Sequence, residues 1–290
     1  MKSYLKLLIL FLASIAITIF ISPLIASFVP FPLHKIMSRA ILVVTFFMFY
    51  HYREHLGIEN IKSLGLGFDK KWRILFVTGI FTATISIGAV LGLMVYGKVR
   101  FFVQDITFPG IAEHIAEYLL AGIAVGVIEE CFFRGFVLQS LLKDSSVYFS
   151  VFLTSILYAL IHYFRIFKSV RVDVLDLETS TRVSSLFFKS FSENLPNVWP
   201  SVIGLFLLGI LLSVAYLRTG SLALSIGLHA GFVLGVKTIS CVTDVTPPEP
   251  FWGGDVVANP IAWGALVILS LVIVLSMRHK DANKILVKKV

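Results

Sequence analysis

Long apolar blocks separated by short polar stretches dominate the chain. Eight blocks are long enough to matter: residues 5–28, 34–52, 74–96, 111–140, 146–166, 198–217, 221–240 and 260–277. In hydrocarbon every backbone N–H and C=O has to be satisfied internally. Blocks of about 20 apolar residues therefore form membrane-crossing helices. The pattern predicts an all-α fold, a polytopic membrane helix bundle of about eight transmembrane helices, forming a single integral membrane domain over 1–290. The second block is the weakest, because Lys35, Ser38 and Arg39 crowd its start. The first resembles a secretory leader, with Lys2 and Lys6 ahead of Leu7 to Ile21. Its apolar run continues to about Phe28, which is long for a leader, so it is read as an uncleaved first span.

The polar stretches set orientation. His51 to Arg73 forms a polar loop with Leu64-Gly65-Leu66-Gly67 inside it, expected at the membrane interface. Ser169 to Pro196 mixes Arg171, Asp173, Asp176, Glu178, Arg182, Lys189 and Glu193. It is compatible with a solvated loop, a partial amphipathic helix, or a lid. The loop from Cys241 to Asn259 has no basic residue. Basic residues collect on cytoplasmic faces. Lys2, Lys6, Arg53, Lys62, Lys70, Lys71, Arg73, Lys143, Arg218 and a basic tail over 278–290 fall on one side. Both termini are expected in the cytoplasm, with the chain multi-pass in the cell membrane.

Composition agrees with this reading. The chain is 57% hydrophobic and 14% charged, against about 25% charge in soluble domains. A net charge of +8 then reflects basic residues at bilayer surfaces and not a nucleic-acid partner. Cys131 and Cys241 make no disulfide framework and no CxxC zinc pattern.

Charged groups at membrane depth cost roughly 2.5–3.5 kcal/mol each on insertion scales. The fourth block nonetheless contains Glu129, Glu130 and Arg134. Glu130 and Arg134 are four apart, share a helical face, and are expected to pair. Glu129 is rotated by about 100°. Its face carries Gly122 and Gly126, a small-xxx-small pattern that lets another helix approach closely. Glu129 is therefore the reactive candidate and Glu130 the structural one. The fifth block contributes Tyr158 and His162, again four apart. In a hairpin folded at Lys143-Asp144-Ser145-Ser146, Glu129 and His162 reach nearly the same height, roughly 23–26 Å from the turn. His229 in the seventh block is only about 12–15 Å from its own turn, leaving a mismatch of about 10 Å that tilt or a deeper start to this span would close. A carboxylate and imidazoles meeting inside a membrane suit water activation. They also suit a proton-coupled transporter, and each group taken singly suits a helix–helix contact in a non-catalytic scaffold or immunity protein. His114, Glu113 and Glu117 are read as interfacial, and Lys237 as a residue that snorkels.

These residues resemble the CAAX-protease and bacteriocin-processing family of intramembrane endopeptidases. Its E-E-x-x-x-R motif matches Glu129, Glu130 and Arg134; its F-x-x-x-H motif is similar to Tyr158 to His162, with tyrosine for phenylalanine; its H-x-x-x-N/D motif matches at His229 but meets Val233. The resemblance spans about 111–240, which would be the protease-like core. It implies an endopeptidase that cleaves a membrane-associated protein or peptide, with catalytic Glu129, His162 and His229 and supporting Glu130, Arg134 and Tyr158. It implies no cofactor and favours metal-free catalysis. The alternative is zinc or another divalent metal held by Glu129, His162 and His229, a legitimate zinc set without HExxH spacing. Val233 cannot supply the side-chain donor that the family places there.

Overall fold

The computed structural model describes residues 2–60, 64–103, 108–163, 176–246 and 255–276. Within them the helices are α1 (Ser3–Ala26), α2 (Leu33–His51), α3 (Lys70–Tyr96), α4 (Phe108–Glu130), α5 (Val147–Ile161), α6 (Leu177–Thr219), α7 (Leu222–Val242) and α8 (Pro260–Ser276). Helix α4 runs on as a π-helical segment, Cys131–Leu138, and a last turn, Gln139–Leu141. Five helices (α1, α2, α3, α6 and α7) are long and apolar enough to cross a membrane, and α5 and α8 are shorter apolar helices. The chain is an integral membrane helix bundle.

Local chemistry sets the helix starts. Asp69, Ser146, Asp176 and Ser221 each accept a hydrogen bond from a backbone N–H in the first turn of α3, α5, α6 and α7. Such caps are worth about 1 kcal/mol apiece. Gly220, at φ +65°, ends α6 in the left-handed conformation that favours glycine.

Helix α7 is the axis of the bundle. Gly227, Gly231 and Gly235 form one stripe along it, packed on Phe76, Ile80 and Ile87 of α3. On another face Ala230 and Ile226 meet Gly122 and Gly126 of α4. A methyl on Gly122 would come within 2.8 Å of the Ala230 carbonyl and 3.3 Å of Val233 Cβ. The small-xxx-small face of α4 therefore meets α7. Helix α5 packs on α6, and α6 also packs on α8.

The start of the chain is latched to the turn after α4. The Ser3 N–H donates to Asp144 Oδ2 at 2.6 Å, and Lys6 Nζ donates to the His55 carbonyl at 2.7 Å. Lys143 Nζ donates to the Gly57 carbonyl.

Three polar stretches take definite form. Within the Leu64–Gly67 patch, Leu64 is buried against Gly135 in the π-helical segment. The Gly65 carbonyl accepts from Leu222 N at 3.2 Å and Ser221 Oγ at 3.1 Å. The φ of +89° at Gly65 allows that approach. Residues 177–196 are helical and continue into α6, burying Thr179, Ser180, Val183 and Phe187 at helical spacing. The amphipathic alternative holds there. Pro196 and Pro200 lie inside this 43-residue helix and remove two amide donors from it. The stretch after Cys241 is not loop throughout. Residues Arg100–Phe102 (β1) and Thr243–Val245 (β2) pair antiparallel, Phe101 opposite Asp244. Arg171, Asp173 and the 278–290 tail lie outside the described residues.

Candidate active site

The two adjacent glutamates occupy different environments. Glu130 and Arg134 are both 0% exposed, and Arg134 Nη1 donates to Glu130 Oε1 at 2.8 Å. Arg134 Nη2 donates to the Gly209 carbonyl of α6 at 2.9 Å. Its guanidinium also lies 4.9 Å from the centroid of the Tyr158 ring. The carboxylate thus has a charged partner, and the guanidinium has a second acceptor and an aromatic face. Glu130 Oε2 and Arg134 Nε have no hydrogen-bond partner among the described residues. The π-helical segment begins directly after Glu130. Segments of this kind are rare and occur often at functional sites, because the wider turn re-aims side chains. Here it buries Cys131, Phe133, Arg134, Phe136, Val137 and Leu138 together.

Glu129 faces a cavity and keeps 27% of its side chain exposed. His162 Nε2 lies 3.5 Å from Glu129 Oε2, and His229 Nε2 lies 3.9 Å from the same oxygen. Both separations exceed a direct hydrogen bond. That oxygen has no hydrogen-bond partner among the described residues. Each imidazole is held by its other nitrogen. His162 Nδ1 is 2.7 Å from the Tyr158 carbonyl. A carbonyl only accepts, so Nδ1 carries the proton, and in the neutral ring Nε2 offers a lone pair toward Glu129. His229 Nδ1 is 3.0 Å from Glu130 Oε1. The carboxylate accepts there too, so Glu130 ties Arg134 and His229 to one oxygen. The Tyr158 ring lies between them: 4.5 Å from the His162 ring and 6.2 Å from that of His229.

The structure therefore gathers Glu129, Glu130, Arg134, Tyr158, His162 and His229 in one place. The 10 Å mismatch expected for His229 does not exist. The deeper start to this span closes the gap, because the α6–α7 turn is recessed. Through Leu64 and Gly65, Ser221 is tied to the level of Gly135, well inside the Lys143–Ser146 turn. Glu129 then lies six residues from Gly135 and His229 eight from Ser221, so the two heights agree.

A cavity of about 270 Å³ opens in front of Glu129. Its wall comes from α1, α2, the end of α4 with the π-helical segment, Ile161 of α5, and the first part of α6 through Ser184, Phe187 and Phe188. Glu129 is the only ionisable side chain among its described lining residues. Helix 177–196 thus covers the site from one side.

Other candidates fall away from the centre. His114 and Glu117 form an exposed pair at 3.6 Å, and Lys237 Nζ lies 5.2 Å over the Tyr118 ring. Val233 packs toward Gly122 on α7, one turn beyond His229.

The zinc alternative can be tested on the donor set. Tetrahedral zinc with bonds of about 2.0–2.2 Å sets donor atoms roughly 3.3–3.5 Å apart. The 3.5 Å separation fits and the 3.9 Å one does not. Among the described residues no group of three His, Cys, Asp or Glu is disposed to hold a metal. As placed, these side chains do not fit the ion.

Sequence reasoning missed the bond between Glu130 and His229. Ninety-nine residues separate the two, and no local spacing could signal it. The Gly209 carbonyl that receives Arg134 left no signal either.

Fold and site define an integral membrane helix bundle with an internal cluster of acid–base groups. Comparison narrows the class. The family model described as Rce1-like, type II CAAX prenyl endopeptidase Rce1-like, matches residues 111–235, a stretch that contains all six gathered residues. Over that segment the chain is similar to the CAAX-protease family of intramembrane hydrolases. No curated protein and no solved structure matches the chain.

Proposed function

We propose that this protein is an intramembrane endopeptidase that hydrolyses a peptide bond in a membrane-associated protein or peptide, with Glu129 as general base. One observation carries the reading: two imidazole Nε2 atoms converge on one oxygen of Glu129 while each ring is fixed through Nδ1.

Glu129 Oε2 and His162 Nε2 are both acceptors, 3.5 Å apart. A water bound between the Glu129 carboxylate and His162 Nε2 places one hydrogen on each and keeps a lone pair for attack. Glu129 takes a proton as the oxygen bonds to the scissile carbonyl carbon, and the carbonyl oxygen becomes an oxyanion. His229 donates to that oxyanion from Nε2–H, with Nδ1–H held by Glu130. In this form Glu129, Glu130, Arg134 and protonated His229 carry no net charge together, which suits a low-dielectric site. Glu129 then passes its proton to the leaving amine as the carbon–nitrogen bond breaks. General base catalysis of this kind contributes typically 10²–10⁴-fold. Val233 offers no second side-chain donor to the oxyanion, so turnover is slower than in a site with both. The mechanism is metal-free in this reading.

The test compares membrane peptides from cells carrying wild type, Glu129→Gln and His162→Ala, together with purified protein in detergent with and without a strong chelator. Cleavage products that disappear in both variants and persist under chelation are expected. Equal cleavage by Glu129→Gln would dismiss the mechanism, and loss under chelation restored by zinc would replace it with a metal-dependent one.

A further inference from the structure

The walls of the cavity in front of Glu129 are held in place unequally. Helices α1 and α2 are fixed at their inner ends, through the bonds of Ser3 and Lys6 and through Phe46 and Phe49, which pack on Phe136 and Phe132. Helix α4 is pinned to α7 by the close approach at Gly122. The remaining wall is residues 177–195, which line the cavity with Ser184, Phe187 and Phe188. Its buried apolar residues, Val183 and Phe187, form a small cluster of their own with Ala26, Leu33, Ile36 and Met37, separate from the two larger clusters that pack the bundle. Its other face carries Glu178, Arg182, Lys189 and Glu193, all exposed. Directly after it come Pro196 and Pro200, inside the same helix. Each lacks an N–H, so the i→i−4 bonds to the carbonyls of Ser192 and Pro196 are not made. Just ahead of them Ser192 Oγ donates to the Lys189 carbonyl at 2.9 Å and Asn194 Nδ2 to the Ser190 carbonyl at 2.7 Å. Side chains that bond the backbone in this way compete with the helical ladder. Beyond the prolines α6 is gripped again: Gly204 packs on the Val257 carbonyl and Gly209 on Ser155.

We propose that residues 177–195 are a hinged strap: they swing away from α1 and α2 about Pro196 and Pro200, admit the substrate chain to Glu129, and close on it. The inference rests on the proteolytic reading and adds the route by which substrate arrives. A chain cut internally runs past the scissile bond in both directions. The cavity, at about 270 Å³, is near the lower edge of ligand pockets, which run to about 300–1,000 Å³. One wall therefore has to part, and the strap is the wall built for it. Opening uncovers Val183 and Phe187 and leaves both larger clusters intact, and moving elements are drawn from such weakly held parts of a fold. A hinge needs only a few positions that absorb a change of backbone angle, and two prolines four residues apart supply them. The charged face sets the direction. Four charged side chains in hydrocarbon would be costly, so this face stays in water or among headgroups, and the strap opens toward that side. The substrate chain then enters from the membrane surface and not from the hydrocarbon. Closure afterwards shuts bulk water away from the scissile bond.

The test reads access to Glu129 without needing turnover. Purified protein in micelles is treated with dicyclohexylcarbodiimide, which converts a carboxyl it can reach into a stable N-acylurea. Labelling of Glu129 is followed by mass spectrometry, with the fully buried Glu130 as internal control. Pro196→Ala/Pro200→Ala rebuilds the helical ladder; it is expected to slow labelling about fivefold or more, and to be at least as stable as wild type, since alanine favours helix. Val183→Ala weakens the clamp at a residue that is buried but does not line the cavity. It is expected to speed labelling about tenfold, the worth of the two methyl groups removed. A second arm measures cleavage of end-capped apolar decapeptides, wild type against Glu129→Gln first. There kcat/KM of the proline variant is expected to fall by about the same factor as its labelling. Labelling unchanged in either variant, or kcat/KM unchanged in the proline variant while cleavage still depends on Glu129, would overturn the strap and leave the proteolytic reading standing. If wild type cleaves nothing, the proteolytic reading falls and labelling decides alone: both shifts together support the strap, and the absence of either overturns it.

Discussion

Glu129→Gln and Glu130→Gln are neighbouring and chemically identical substitutions, and both are expected to abolish cleavage. Their effects on stability should differ sharply. Glu130 is fully buried, and its Oε1 accepts from Arg134 at 2.8 Å and pairs with His229 at 3.0 Å. Replacing it by glutamine leaves the Arg134 guanidinium buried without its counter-charge. Breaking a buried pair in this way costs about 3–5 kcal/mol. The bond to His229 is part of the same loss and is not added again. Glu129 makes no hydrogen bond through Oε2 and keeps 27% of its side chain exposed. Its removal should cost less than about 1 kcal/mol. Equilibrium unfolding in mixed micelles, followed by tryptophan fluorescence, measures the difference. A companion variant sharpens it: Glu130→Gln/Arg134→Met removes the orphaned charge and is expected to recover much of the loss. The reasoning is refuted if Glu130→Gln unfolds within about 1 kcal/mol of wild type, or if Glu129→Gln is equally destabilised.

Three further outcomes follow from the geometry. Gly122→Leu, built against the Ala230 carbonyl, forces α4 from α7 and draws His229 away from Glu129; turnover should fall at least tenfold. Val233→Asn restores a side-chain donor one turn from His229 and is expected to raise kcat by up to about 10²-fold with KM unchanged; an unchanged kcat would show that position 233 does not reach the oxyanion. The Asp144 carboxyl sits below the ordinary carboxylate range: burial, the largest influence, pushes it up, but hydrogen bonds from Ser3 and Ser145 and the charge of Lys2 outweigh it. Its contribution is then full above the unfolded-state value of about 4 and is lost as pH falls through the lower folded value. Hydrogen exchange at the first turn of α1 should accelerate across that acid window in wild type, and be fast at every pH in Asp144→Ala.

The helices were legible because lipid leaves a chain few options: apolar length translates directly into a span. The Glu130–Arg134 pair was legible because it is local. So was the shared height of Glu129 and His162, since one short turn joins their helices. What the sequence hid are relations between levels. The position of His229 depends on how far the α6–α7 turn is recessed, and that depends on Leu64 and Gly65 reaching in from a distant loop. Residues 177–196 are helical although they read as polar. Their apolar positions, such as Val183 and Phe187, are too sparse for a span yet enough to cover α1 and α2. The π-helical turn that carries Arg134 has no signature in local propensity.

The latch between Ser3 and Asp144 also fixes an order of assembly. Helix α1 cannot complete its contacts until a turn 141 residues later exists. At synthesis rates of about 5–20 residues per second, that is a wait of roughly 7–28 s. During it α1 and α2 stand in the bilayer without the helices that carry Glu129, His162 and His229. The wall of the cavity is thus present early but shut late. A nascent chain offers no enclosed site to the proteins around it until α4 to α7 have arrived.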